Sequence, residues 1–218
     1  MNFRNVLGVS FLALGLFASA PVLAKKAKDA AASTEPAVVT IQLTGNAALD
    51  GTLQKALDID TKIVNGTNNL MTARANVNTA LGAATDAPLA TALADMKSKA
   101  EGKLKFAMNG TTPTISAGDG MPDNVKAGLD AVNSLVAVGG TTVTELAGLG
   151  KDITALIDEA KALPGKIPSL GLDAKSLMGA TKIVGADVKA IGGFPAKISA
   201  LTEQVTGVFN DIKAAFGS

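Results

Sequence analysis

Apolar residues recur at sevens between residues 46 and 81. Leu49, Ala56, Ile63, Leu70 and Val77 form one row, and Leu57, Val64 and Met71 follow one residue behind three of them. On a helix the two rows merge into one apolar stripe, the candidate helix-packing face. The row between them (Thr52, Ile59, Gly66, Ala73, Ala80) is mostly small, which lets a second helix approach closely. A helix of this length, about 50 Å, is unstable alone, so the pattern requires later segments to cover the stripe. Gly45-Asn46 supplies a break and an N-cap ahead of it. Asn65-Gly66 is also a turn signal, and a helical hairpin bent there is the alternative. The heptad row keeps its phase from Ile63 to Leu70, which favours one continuous helix. Asp60 and Arg74 share a row with Leu53 and Leu81 at the stripe's edge and read as a solvated margin.

Before this helix, residues 37–44 (AVVTIQLT) alternate, with Val39, Ile41 and Leu43 on one side, and predict a half-buried strand. After it, Gly82–Thr85 connects to a second helix opened by Asp86 and Pro88, carrying Leu89, Leu93, Met96 and Ala100, and closed by a left-handed Gly102. Leu104, Phe106 and Met108 then alternate with Lys103, Lys105 and Ala107, and Asn109-Gly110 separates them from 112–117, a hairpin signature. Pro113 requires an edge position there, and one face of the sheet is expected to hold Val39, Ile41, Phe106 and Ile115. A third helix opens at Pro122 and Asp123 and runs to Gly139-Gly140. A fourth carries Val143, Leu146, Ile153 and Leu156 to Leu163, before Pro164-Gly165, and the chain stays irregular to about Leu172. A fifth spans 173–191 and a sixth begins at Pro195 with Ile198, Leu201, Val205, Phe209 and Ile212.

The predicted fold is therefore mainly α: an antiparallel bundle of about six amphipathic helices with a small sheet, made of one N-terminal strand and a β-hairpin near 103–117. Residues 37–121 contribute the long helix, the second helix and the sheet. Residues 122–218 form a C-terminal helical bundle on the same core. The similar segments Pro164-Gly165-Lys166-Ile167 and Pro195-Ala196-Lys197-Ile198 are two helix boundaries rather than a repeat.

The first 24 residues follow a different logic. Arg4, an apolar run over 6–18 and small residues before Lys25 have the order of a secretory signal peptide, with cleavage after Ala24. The run is shorter than the ~20 residues a membrane span needs. No Cys follows the cleavage position, so a bacterial-type lipid anchor is excluded. Residues 25–36 (KKAKDAAASTEP) are small, charged and aperiodic, and predict a flexible tail. The expected location is export, to the periplasm or the extracellular space.

Composition narrows the chemistry. The chain has 20 Lys+Arg and 19 Asp+Glu, and Arg4 is the one charge within residues 1–24, so the mature chain is neutral. It has no Cys, His, Trp or Tyr, and a neutral chain lacking Trp and Tyr is a poor nucleic-acid binder on both electrostatic and stacking grounds. The core must be aliphatic and small, held by many modest contacts along long interfaces.

Without His or Cys there is no conventional triad, no thiol nucleophile and no ordinary zinc site. Asp58 and Asp60 are two apart on a helix and do not converge; Asp158 and Glu159 read as an exposed face, and Lys175-Ser176 are neighbours rather than a facing pair. No P-loop, dinucleotide or G-x-S-x-G motif occurs. Asp119, Asp123 and Asn124 lack the spacing of a calcium loop. Asn65-Gly66-Thr67 and Asn109-Gly110-Thr111 match the glycosylation acceptor pattern but read as helix and turn. No catalytic residue, cofactor or metal is expected, and the residues singled out are the candidate helix-packing stripe Leu49, Ala56, Ile63, Leu70 and Val77. The expected function is that of a structural or interaction protein of the cell envelope, a scaffold or adaptor with a protein partner or self-association. The alternative is binding of a lipid, a membrane surface or a hydrophobic ligand through amphipathic helices. Dispersed Lys and Asp on the polar faces weigh against that alternative.

Overall fold

A computed structural model describes residues 37–217; the expected signal peptide and tail (1–24 and 25–36) lie outside them. In chain order the elements are α1 (Ala47–Ala80), α2 (Leu89–Lys99), β1 (Leu104–Asn109), β2 (Thr112–Ala117), α3 (Asp123–Lys166), a 3₁₀ turn (Ile167–Leu170), α4 (Ala174–Gly192) and α5 (Phe194–Phe216). The described residues are mainly helical, with five α-helices rather than about six and a two-stranded antiparallel sheet.

α1 is continuous through Asn65-Gly66, and the Asn46 side chain accepts the Ala48 N–H at its start. Gly66 is buried, and a Cβ there would sit 3.1 Å from Leu201 Cδ2 and 3.2 Å from Thr142 Cγ2. Its lack of a side chain lets α3 and α5 press against α1. Three contacts fix the direction of the α1–α3 pair: Lys55 with Glu159 at 2.9 Å, Gly66 with Thr142, and Leu81 with Gly128. The partners descend along α3 as they ascend along α1, so the two helices run antiparallel. α5 runs parallel to α1, since Asp60 meets Lys197 and Gly66 meets Leu201.

The expected break at Gly139-Gly140 is absent. α3 runs 44 residues without interruption, merging the expected third and fourth helices. The reason is visible in its buried positions: Val132, Leu135, Gly139, Thr142, Leu146, Leu149, Ile153, Leu156, Ala160 and Leu163 step by three and four without a gap. Gly139 is a packing residue rather than a breaker, and a Cβ there would sit 2.9 Å from Phe209 Cε1 and 3.1 Å from Val205 Cγ1. Val143, expected on the stripe, is exposed, and Thr142 takes the buried position. The two neighbouring glycines therefore differ in sign. Gly140→Ala meets nothing within 4 Å and is expected to stabilise by about 0.5–1 kcal/mol through helix propensity. Gly139→Ala drives a methyl into the Phe209 ring and is expected to destabilise by about 1–3 kcal/mol. Denaturant titration of both variants checks the pair.

Pro164 also lies inside α3. It removes one intrahelical hydrogen bond, and the chain tightens into the 3₁₀ turn three residues later, stopping at a left-handed Gly171. Asp173 caps α4, accepting the Lys175 and Ser176 N–H groups and the Ser176 hydroxyl. The Ser176 hydroxyl is thereby committed to the Asp173 cap. Gly193 alone separates α4 from α5, which starts at Phe194, one residue before the expected Pro195.

The hairpin pairs Leu104 with Ala117 through Asn109 with Thr112, and Gly110 (φ 62°) turns the chain. α2 ends at Lys99, and both Glu101 and Gly102 take positive φ beyond it. The expected third strand is not formed. Residues 37–44 take no regular secondary structure and pair with no strand, and of Val39, Ile41 and Leu43 only Ile41 is buried. On the face expected for the sheet, Ile115 is buried, Phe106 is partly so and Val39 is exposed.

Candidate functional site

The five stripe residues Leu49, Ala56, Ile63, Leu70 and Val77 are all buried, and they belong to the same apolar cluster as α2, α3, α4 and α5 residues. They form core rather than a surface open to a partner.

The polar chemistry gathers elsewhere, beneath residues 37–46. In this strap the main-chain donors that a strand would offer to a neighbouring strand are instead captured by side chains. Asn68 exchanges hydrogen bonds with the backbone of Ala37, its Oδ1 accepting the N–H at 3.0 Å and its Nδ2 donating to the carbonyl. Asp60 Oδ2 accepts the Thr40 N–H at 2.7 Å and the Thr40 hydroxyl at 3.0 Å. The Gln42 N–H donates to both oxygens of Asp187, at 3.3 and 3.4 Å. Asp50 accepts the Thr44 N–H and hydroxyl and the Gly45 N–H. Residues 40, 42 and 44 lie two apart, so their N–H groups project to one side of an extended chain. Three carboxylates on two helices meet that spacing, and no paired strand is required.

Asp60 also binds Lys197 Nζ at 2.8 Å through Oδ1, and the ammonium lies 5.5 Å from the Phe194 ring centre. Asp60 is 0 % exposed and Asp187 2 % exposed. The solvated-margin reading of Asp60 is thus corrected: the residue is fully enclosed by the strap and α5. Burial works against ionisation of Asp60, but Lys197 and the Thr40 donors outweigh it and hold its pKa below the ordinary 3.8. Burial prevails at Asp187, whose pKa is raised, the Gln42 N–H opposing the shift and the Asp60 charge adding to it. Asp211 on α5 is raised by burial as well, against the pull of Arg74.

Two neighbouring carboxylates whose environments push them apart is the arrangement from which acid–base pairs are built. Here the oxygens of both are engaged by the chain's own donors, so the pair works as a clasp on the strap. Neither Asp187 nor Lys197 stands out in the sequence as chemistry. The available signal was position: Asp187 falls three residues after Val184 and four before Ile191, on the buried face of α4. Elsewhere, Glu159 pairs with Lys55 and Asp123 with Lys126 on exposed surfaces. Among the described residues, no group of three or more acidic side chains is placed to hold a metal ion, and no helix is long and apolar enough to cross a membrane.

These shifts set the sign of what each of the three groups contributes to the pH dependence. As pH falls from neutrality toward 3.8, folded Asp187 and Asp211 take up protons before the unfolded chain does, so stability rises. Below 3.8 the unfolded chain protonates first relative to Asp60, and the stabilisation from its clasp is lost as pH falls through its lowered folded pKa. Asp187→Asn retains an acceptor for Gln42 and removes the buried charge. It is expected to match or exceed the parent in stability at neutral pH, with the difference shrinking on acidification. Unfolding midpoints measured across pH check this, and a variant weaker than the parent at neutral pH would contradict it.

No family model, curated protein or solved structure matches this chain.

Proposed function

We propose that this chain is an exported, non-enzymatic protein of the cell envelope, an antiparallel helical bundle acting as a scaffold or adaptor through its surface. The observation that carries this reading is the closure of the Asp60–Asp187–Lys197 cluster by the chain's own strap. The chemically richest buried position among the described residues is spent on holding the fold. What remains for function is surface: long helices edged with dispersed charge, and exposed apolar side chains on the strap (Val38, Val39, Leu43), the hairpin (Met108) and α4 (Met178). The export reading rests on the order of charge, apolar run and small residues within 1–24.

Native mass spectrometry of the exported protein, with cross-linking in intact cells, tests the proposal. Self-association or a stable protein partner is the expected result. A strictly monomeric species without a cross-linked partner overturns it. Retained acyl chains, or a gain of helicity on adding vesicles, would replace it with the lipid-binding alternative.

A further inference from the structure

The dipeptide Asn-Gly occurs twice among the described residues, in two opposite settings. Asn65-Gly66 lies in the interior of α1. Its Gly66 is buried against Leu201 and Thr142, and the neighbouring Thr67 hydroxyl donates to the Ile63 carbonyl at 2.9 Å. A helix-interior N–H points at the carbonyl four residues back and is held there. Asn109-Gly110 lies at the tip of the hairpin, where both residues are exposed. The strand ladder closes with the Asn109–Thr112 pair, leaving the Gly110 N–H outside it. Gly110 has φ 62°, and nothing lies within 4 Å of where its Cβ would be.

We infer that Asn109 is a site of spontaneous covalent modification, a deamidation that the fold permits at the hairpin tip and forbids at Asn65. The Gly110 main-chain nitrogen, after giving its proton to solvent base, attacks Asn109 Cγ. A nitrogen–carbon bond forms, the Cγ–Nδ2 bond breaks, and the side-chain nitrogen takes up a proton and leaves as ammonia. Water then opens the five-membered imide at either carbonyl, giving aspartate or isoaspartate. No electrons are transferred, and water is the one co-reactant. Glycine is what makes the attack feasible, because no side chain shields the nitrogen and the main chain can rotate into the ring geometry. At Asn65 the same rotation would break α1 and lift Gly66 out of its contact with α3 and α5. Conversion at the tip places a carboxylate beside the turn. The isoaspartate product also routes the main chain through Cβ, which lengthens the turn and disturbs the Met108–Pro113 and Asn109–Thr112 pairs.

The test is a time course of the intact folded protein in mildly alkaline buffer, followed by digestion and peptide mass spectrometry that locates each amide-to-acid conversion. In the folded protein, Asn109 is expected to convert at least about tenfold faster than Asn65, which must wait for local opening of α1. In denaturant the two sites are expected to convert at comparable rates. Equal rates in the folded protein, or Asn65 leading, overturn the inference. The same rate ratio persisting in denaturant overturns it as well, because the fold would then not be the cause.

Discussion

Replacing Asp60 with alanine is expected to lower the free energy of unfolding by about 2–4 kcal/mol, because it strips two donors of their acceptor and breaks an ion pair whose carboxylate is buried and whose ammonium is partly exposed. The carboxylate is fully enclosed and serves three donors: the Thr40 N–H, the Thr40 hydroxyl and Lys197 Nζ. Truncation leaves the Thr40 groups without their acceptor and the Lys197 ammonium, itself only partly exposed, without its counter-charge. Asp60→Asn separates the two contributions. It keeps an oxygen for the Thr40 N–H and loses the charge pair, so its effect is expected to be smaller than that of alanine. In a chain of this size, the alanine loss corresponds to a fall in Tm of about 10 °C. A double-mutant cycle with Lys197→Ala measures the pair itself, and a coupling energy near zero would assign the loss to the strap alone.

The second large effect is expected at Phe194. It is 0 % exposed and opens α5, immediately after Gly193, the one residue between α4 and α5. In a core built mainly from Leu, Ile, Val, Ala and Met, this ring is the largest fully buried side chain among the described residues. Phe194→Ala is expected to destabilise by about 3–5 kcal/mol, and it also removes the aromatic face beneath Lys197. Phe194→Leu retains most of the volume and is expected to cost well under half of that. Equilibrium denaturation compares the two, and equal losses would mean that ring geometry rather than filled volume holds α4 and α5 together.

How much of this was legible in the sequence follows from which forces act locally. The period of α1 could be read because its stripe is continuous and its cap lies next to it in the chain. The hairpin was legible because Asn109-Gly110 and the alternating residues around it are local signals. Gly139-Gly140 was misleading for the opposite reason. Glycine's local preference is to end a helix, but here Gly139 is fixed by Phe209 and Val205, some seventy residues away. The unbroken three–four spacing across it was present in the sequence and outweighs the dipeptide. Residues 37–44 have a strand's alternation, yet their partners are side chains of α1 and α4, the Asn68 amide and three carboxylates. A pattern of period two says that a chain is extended and says nothing of what accepts its N–H groups. Asp60 read as a margin because an acid beside an apolar stripe is ordinarily solvated. Its burial depends on Lys197 and Thr40, which sequence spacing does not bring near it.

Everything here depends on side chains of α1 and α4 holding residues 37–46 down over the helices. Amide hydrogen exchange resolved at single residues reads that clasp directly. The N–H groups of Thr40, Gln42 and Thr44 are expected to be protected, those of Val39 and Leu43 to exchange rapidly, and the protection at Thr40 to vanish in Asp60→Ala. Uniformly fast exchange across residues 37–44 in the parent protein would contradict the account.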